Sequence, residues 1–351
     1  MEGGKEQGLR RGERVLAFDV LNILACIGVI ALHHNGLVHS FDGSRAWAES
    51  LVVECLFYWC VPVFMMISGA NLMRYRDRYD TATFFKKRFV NTVIPWLFWS
   101  VVVLTAKVWR GTITLGAHPL LRAVDMIFSF TQVEYVYWFF GALFACYLAI
   151  PVLSLLCEER KALWYIVLLN FVFSSCLPPL RSWLGFSFSL DVPLVASMIE
   201  FVLLGYLLAT KPPEKKQRLA LYAAGIVCVI FRYVYTFHYS FLRGETDTTI
   251  KGYMMFHSVF WAAAVFVLGM QIPWEKIFSE KFRALLPKIS ACSFGVYLIH
   301  RIVMPVEAQL FSLDDHSLLW RTACIFLTYG ISLGITMVLK KIPGVKYTVG
   351  S

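Results

Sequence analysis

Charge is what this sequence has least of. Only 16% of its 351 residues are Asp, Glu, Lys or Arg, against 58% hydrophobic, and the mean hydropathy is +0.62. Soluble domains carry about a quarter charged residues, so a water-soluble enzyme or a nucleic-acid-binding module is excluded. The excess of 33 basic over 23 acidic residues has to be read against a bilayer before any polyanionic partner is invoked, and no nucleic acid is expected. The chain also lacks a Gly/Ser linker, a fixed-period repeat, a phosphate-cradling glycine loop, a serine nucleophile elbow and a zinc-ligand signature. Hydrolase and nucleotide-driven readings lose their support, and neither a metal nor a bound cofactor is expected. The nine cysteines, Cys26, Cys55, Cys146, Cys228 and Cys324 among them, sit mostly in apolar stretches without a paired framework and read as small buried hydrophobes.

What the chain has instead is a series of windows of about twenty apolar residues, each long enough to cross a hydrocarbon core of roughly 30 Å. They predict an all-α, polytopic membrane bundle of about ten helices, over 16–36, 51–73, 89–109, 135–156, 162–179, 194–210, 219–237, 254–272, 291–311 and 319–340. A tail of residues 1–15 precedes the membrane domain of 16–340, and 341–351 follow it. The first window contains Asp19 and Asn22 and leads into no small-residue cleavage site, so it is expected to be a retained helix and not a signal peptide. With both termini cytoplasmic, 23 of the 33 lysines and arginines fall on the cytoplasmic side, the cluster from Arg74 to Arg88 being the densest. The longest outside segment, roughly Arg110 to Glu134, is too short for a domain of its own, so the membrane bundle must carry the function.

Ionisable groups inside a bilayer are costly, which makes each one a candidate site or a paired residue facing the bundle interior. The first span is the richest. Asn22 and His33 are eleven positions apart, so they project from nearly the same face, about 16 Å apart along the axis, with Asp19 close to the same stripe. His34 points elsewhere. A neutral imidazole at His33 suits a general base that takes the proton of an attacking hydroxyl; both histidines can also be read as interfacial residues. Glu54, expected at a comparable depth, could orient that imidazole or share its proton. Glu134 and Trp138 open the fourth span from outside, where an acid and an aromatic could hold a sugar, although interface belts use tryptophan as well. Glu200, Arg232 and His257 are further buried titratable positions that an internal ion pair would explain.

The segments FDVLNILACIGVIALHHNG, VPVFMMISGANLM, FFKKRFVNTVIPWLFWS, YWFFGALFACYLAIP and CSFGVYLIHRIV resemble, in order and spacing, the integral-membrane acyltransferase family three. That family includes bacterial O-acetyltransferases of surface glycans, and the resemblance spans nearly the whole chain. It implies a multi-pass protein of the bacterial cytoplasmic membrane, an acyl-CoA donor, acetyl-CoA in the simplest case, and a glycan or lipid-linked sugar as acceptor. It places the family's first-span histidine on His33. The arginine eleven residues earlier, thought to help hold the donor, falls on Asn22, and in the second basic motif Lys87 and Arg88 match while the last arginine corresponds to Asn91. Either a neighbouring cation such as Arg14, Arg74 or Lys86 compensates or the donor is held differently. Ser68 and Gly69 match at the end of the second span, where a small pair also allows close helix approach. Tyr297 and His300 fall in the YLIH match, with an acceptor-side role. A rival from another class is a non-enzymatic carrier or flippase for a lipid-linked glycan, which calls for paired halves with broken helices; the sequence offers no such internal symmetry.

Overall fold

The computed structural model describes residues 15–188, 192, 194–196 and 198–350; the tail of 1–14, with Arg14, lies outside them. Among the described residues there is helix and no strand. In chain order the helices are α1 (Leu16–His34), α2 (Arg45–Phe57), α3 (Cys60–Leu72), α4 (Thr81–Arg88), α5 (Ile94–Trp109), α6 (Pro119–Phe128), α7 (Trp138–Leu153), α8 (Arg160–Asn170) and α9 (Leu177–Leu184). They continue as α10 (Ile199–Thr210), α11 (Lys215–Arg243), α12 (Phe256–Gln271), α13 (Trp274–Ile277), α14 (Glu280–Ser290), α15 (Ser293–Phe311), α16 (Leu318–Arg321) and α17 (Ala323–Lys341).

Seven continuous helical segments are long and apolar enough to cross a membrane, and α14 with α15 forms an eighth only if a bend of 66° is allowed. The windows at 194–210 and 254–272 coincide with shorter apolar helices, α10 and α12. At about 1.5 Å per residue the twelve residues of α10 reach only about 18 Å. They need not meet lipid, because Glu200 to Ala209 are all buried in protein, as an apolar run of that length usually is. The lipid-facing extreme is α11, which exposes Val227, Ile230 and Val234.

Proline breaks several spans. Pro62 lacks the N–H that would bond the Tyr58 carbonyl, and there α2 gives way to α3. Pro95 likewise has no N–H to donate four residues back, and Phe89–Val93 relaxes into a π-turn between α4 and α5; Pro178 and Pro179 follow a second one at Phe171–Cys176. Two glycines set the closest helix contact. A Cβ at Gly69 would lie 1.8 Å from the Val202 carbonyl oxygen and one at Gly205 2.0 Å from that of Met66, so α3 and α10 touch backbone to backbone.

One end of the bundle is basic and carries Arg74, Arg76, Arg88 and Arg160. Arg74 bonds Tyr206 at 3.0 Å, Arg76 bonds Ser154 at 2.9 Å and Arg160 bonds Thr210 at 2.8 Å, tying the helix ends there together. In the tail that follows the membrane domain, Val345–Thr348 fold back on α5 and α17: Trp99 donates to the Thr348 carbonyl at 2.8 Å and Val349 is fully buried. α1 is central and packs against α2, α3, α12, α14, α15 and α17, so its polar stripe lies inside the protein.

Candidate functional site

His33 sits one residue before the C-terminus of α1. Its ring stacks on that of His300 from α15, with centroids 5.3 Å apart and planes 27° off parallel, so it faces the bundle and not lipid. His34 turns the other way: its Nε2 is 2.8 Å from Thr328 Oγ1, its ring lies on Trp320 at 4.1 Å, and the Thr328 hydroxyl in turn donates to Glu307. His300 is fully buried; its Nδ1–H donates to the Val296 carbonyl at 3.3 Å, and its Nε2 has no hydrogen-bond partner among the described residues. One turn towards the basic end, the Tyr297 hydroxyl donates to the Val136 carbonyl at 2.6 Å, and its ring lies 5.6 Å from that of His300.

Beneath Tyr297 a cavity of about 200 Å³ opens among α1, α3, the π-turn before α5, α7, the end of α14 and α15, with Asn22, Ser68, Thr92, Tyr147, Ser290 and Tyr297 on its walls. The bend between α14 and α15 turns Ser290 towards α1, and Asn22 Nδ2 donates to both its carbonyl and its Oγ at 3.0 Å. Ser68 Oγ is bonded back to Phe64 at 2.9 Å, as an in-helix serine often is. Arg88 approaches from the basic end, its guanidinium 5.7 Å from the ring centre of Tyr147, while Lys87 is exposed over Tyr79 at 4.1 Å. Asp19 is buried near the start of α1. Asn22, Ser68 and Tyr297 therefore share one cavity; Arg88 borders it through Tyr147, and Lys87 stands apart.

At the opposite end two carboxylates each lie between two cations. Glu134 is 2.9 Å from Lys107 and 3.4 Å from Arg301. Glu54 is 3.0 Å from Arg232 and 3.7 Å from Lys251. Glu54, which could have oriented the His33 imidazole or shared its proton, is paired with these cations, because Arg232, 2% exposed on α11, is a buried charge that needs a counter-ion. The groups beside His33 are basic: His300 stacks on it, Arg301 follows His300 on α15, and His34 is its neighbour on α1. Lys251 Nζ lies 2.6 Å from His39 Nδ1, and in these loops both groups are held below their ordinary values, chiefly by desolvation. Trp138 stacks on Tyr253 at 5.4 Å and Tyr253 on Tyr58 at 4.2 Å, with the Arg232 guanidinium 3.8 Å over Tyr58. This aromatic step runs from the Glu54–Arg232 pair to Trp138, four residues after Glu134 in the chain.

Several of these residues escaped the sequence. Arg301 follows His300 directly in the YLIHR segment, a signal available but unused. Arg232 and Glu54 each stood out as a charge within a span, but not as partners of one another. Ser290, Thr92, His39 and Lys251 carry no local signature, since only the helix bend and two loops bring them in.

Residues 15–337 match the family model for acyltransferase family three, described as an acyltransferase domain. No curated protein and no solved structure matches the chain. With nearly its whole length covered by that model, from the first residue of α1 to the last turn of α17, the chain belongs to acyltransferase family three and is a membrane acyltransferase.

Proposed function

We propose that this acyltransferase moves an acyl group, acetyl in the simplest case, from a coenzyme A thioester entering at the basic, cytoplasmic end to a hydroxyl of a surface or lipid-linked glycan at the opposite end, in the bacterial cytoplasmic membrane. One observation carries the reading: the cavity that starts at Asn22 and Ser68 ends at Tyr297, whose ring adjoins the His300–His33 stack. Arg88 and its cationic neighbours offer charge-assisted contacts for the coenzyme's phosphates, and Asn22, in place of an arginine, shapes the wall without adding charge.

His33 acts as general base. As the acceptor oxygen attacks the thioester carbonyl carbon, its proton passes to the imidazole, and His300 presents its bare Nε2 as a second proton acceptor beside it. Collapse of the tetrahedral intermediate breaks the carbon–sulfur bond, and the imidazolium proton returns to the leaving thiolate. Acceptor-side contacts come from Glu134, Trp138, Tyr297 and His300. Membranes incubated with labelled acetyl-CoA and extracted glycans test this: His33→Ala should abolish the labelled ester while protein level holds. Undiminished ester formation in that variant would refute the assignment, and transport without any ester would favour a carrier.

A further inference from the structure

We infer that the acceptor is an anion, its reactive hydroxyl carried on a molecule that also bears a phosphate or carboxylate held by Arg232 and Arg301. The inference rests on the acyl-transfer reading and names the substrate class of that same site.

Four observations converge on it. The Glu134 group and the Glu54 group each hold one acid between two bases, so each carries one net positive charge, and an aromatic step runs from Tyr58 beside Arg232 to Trp138, four residues after Glu134. Arg232 is 2% exposed, yet only its Nη2 reaches Glu54; its Nε and Nη1 are buried with no hydrogen-bond partner among the described residues. A guanidinium has five donors in a fixed fork that matches an oxyanion, and leaving buried donors unmet is costly unless a ligand meets them. Lys107, Arg232, Lys251 and Arg301 also lie at the end of the bundle where lysine and arginine are disfavoured by the rule that concentrates them in the cytoplasm. Insertion topology does not account for them.

The chemistry supplies the fourth observation. In Ser-His-Asp sites a carboxylate stabilises the imidazolium formed during proton transfer. His33 stacks on His300 and makes no ion pair with a carboxylate among the described residues, Glu134 and Glu54 being held by lysines and arginines, so its imidazolium lacks a paired counter-charge there. An oxyanion on the acceptor supplies one. As the acceptor's oxygen–carbon bond forms, the hydroxyl proton moves to His33; the acceptor's own negative charge balances the resulting cation until the carbon–sulfur bond breaks and the proton returns to the coenzyme A thiolate.

The test uses the full chain in native membranes with labelled acetyl-CoA and glycan extract, the esterified product being separated on an anion exchanger at neutral pH. Label in a retained fraction that elutes apart from acetyl-CoA and is missing with His33→Ala membranes is expected. Label confined to the unretained, neutral fraction overturns the inference and leaves acyl transfer standing; absence of any His33-dependent ester overturns both. Millimolar pyrophosphate and glucuronate are then added separately: inhibition competitive with the glycan and not with acetyl-CoA identifies a phosphate for the first and a carboxylate for the second, and absence of such competition by either overturns the cationic groups as the holder. Because Arg232→Gln can fail to fold, Arg301→Gln and Lys251→Met carry the variant test. Each should raise the acceptor KM about tenfold with the acetyl-CoA KM unchanged; a purely structural role would lower active protein and leave both constants alone.

Discussion

Gly205→Ala tests whether backbone contact between α3 and α10 holds the site together. The added Cβ would lie 2.0 Å from the Met66 carbonyl oxygen, where real Cβ atoms essentially never come within 3.0 Å, and the other near atoms are also backbone. No side chain can rotate out of the way, so α10 must move from α3 by about an ångström. Overpacking of a close-packed interior costs about 1–3 kcal/mol. The displacement also reaches the chemistry: α3 carries Phe64, Ile67 and Ser68 of the cavity wall, and a misplacement of about 1 Å can lower a rate by about a hundredfold. The buried thiols of Cys26, Cys60 and Cys146 give the assay, since a thiol-reactive fluorophore labels them only on unfolding. Thermal unfolding of detergent-solubilised Gly205→Ala should begin well below wild type. Gly330→Ala and Gly334→Ala on α17, with nothing within 4 Å of the added carbon, should be neutral or stabilising by up to about 1 kcal/mol. An unchanged midpoint for Gly205→Ala, or equal damage from the α17 controls, would refute the reasoning.

Asn22→Ala should lose both hydrogen bonds to Ser290, lowering stability by about 1 kcal/mol and raising the KM for acetyl-CoA, whereas Asn22→Arg should be tolerated because the cavity leaves room; steady-state kinetics on purified protein decide. Glu54→Gln strands the buried Arg232 charge and should cost about 3–5 kcal/mol, most of it recovered in Glu54→Gln/Arg232→Met; wild-type stability with a lost kcat would instead make Glu54 part of the chemistry. His39 is held below its ordinary value of 6.5 by desolvation first and the neighbouring Lys251 second. The unfolded chain then binds the extra proton, so this contribution to stability is complete above pH 6.5 and fades as the pH falls towards the lowered folded value. Unfolding midpoints measured from pH 7.5 downwards should therefore drop less steeply in His39→Gln than in wild type.

The helical character of the chain and the stripe from Asn22 to His33 were legible because both depend on spacing along one helix: apolar windows mark spans, and eleven residues return to the same face. The segments that resemble the family were legible for the same local reason, and the family match over 15–337 bears the resemblance out. Glu54 was legible as a buried acid and not as the partner of Arg232, because the pairing joins α2 to a helix nearly two hundred residues later in the chain. Span lengths were the other departure. Composition cannot tell a short helix buried by its neighbours, as α10 is, from one that crosses lipid.

What the sequence determined by itself is therefore the solvent this protein folds in, its helices, and the imidazole that one of them carries. Only the tertiary structure decided which way that imidazole faces and what surrounds it. Stacking on His300, the cavity below Tyr297 and the two cation–carboxylate groups all arise where separate helices meet. Contacts between distant segments depend on crossing angles, bends at proline and glycine-sized gaps, none of which has a period that can be read along a single chain.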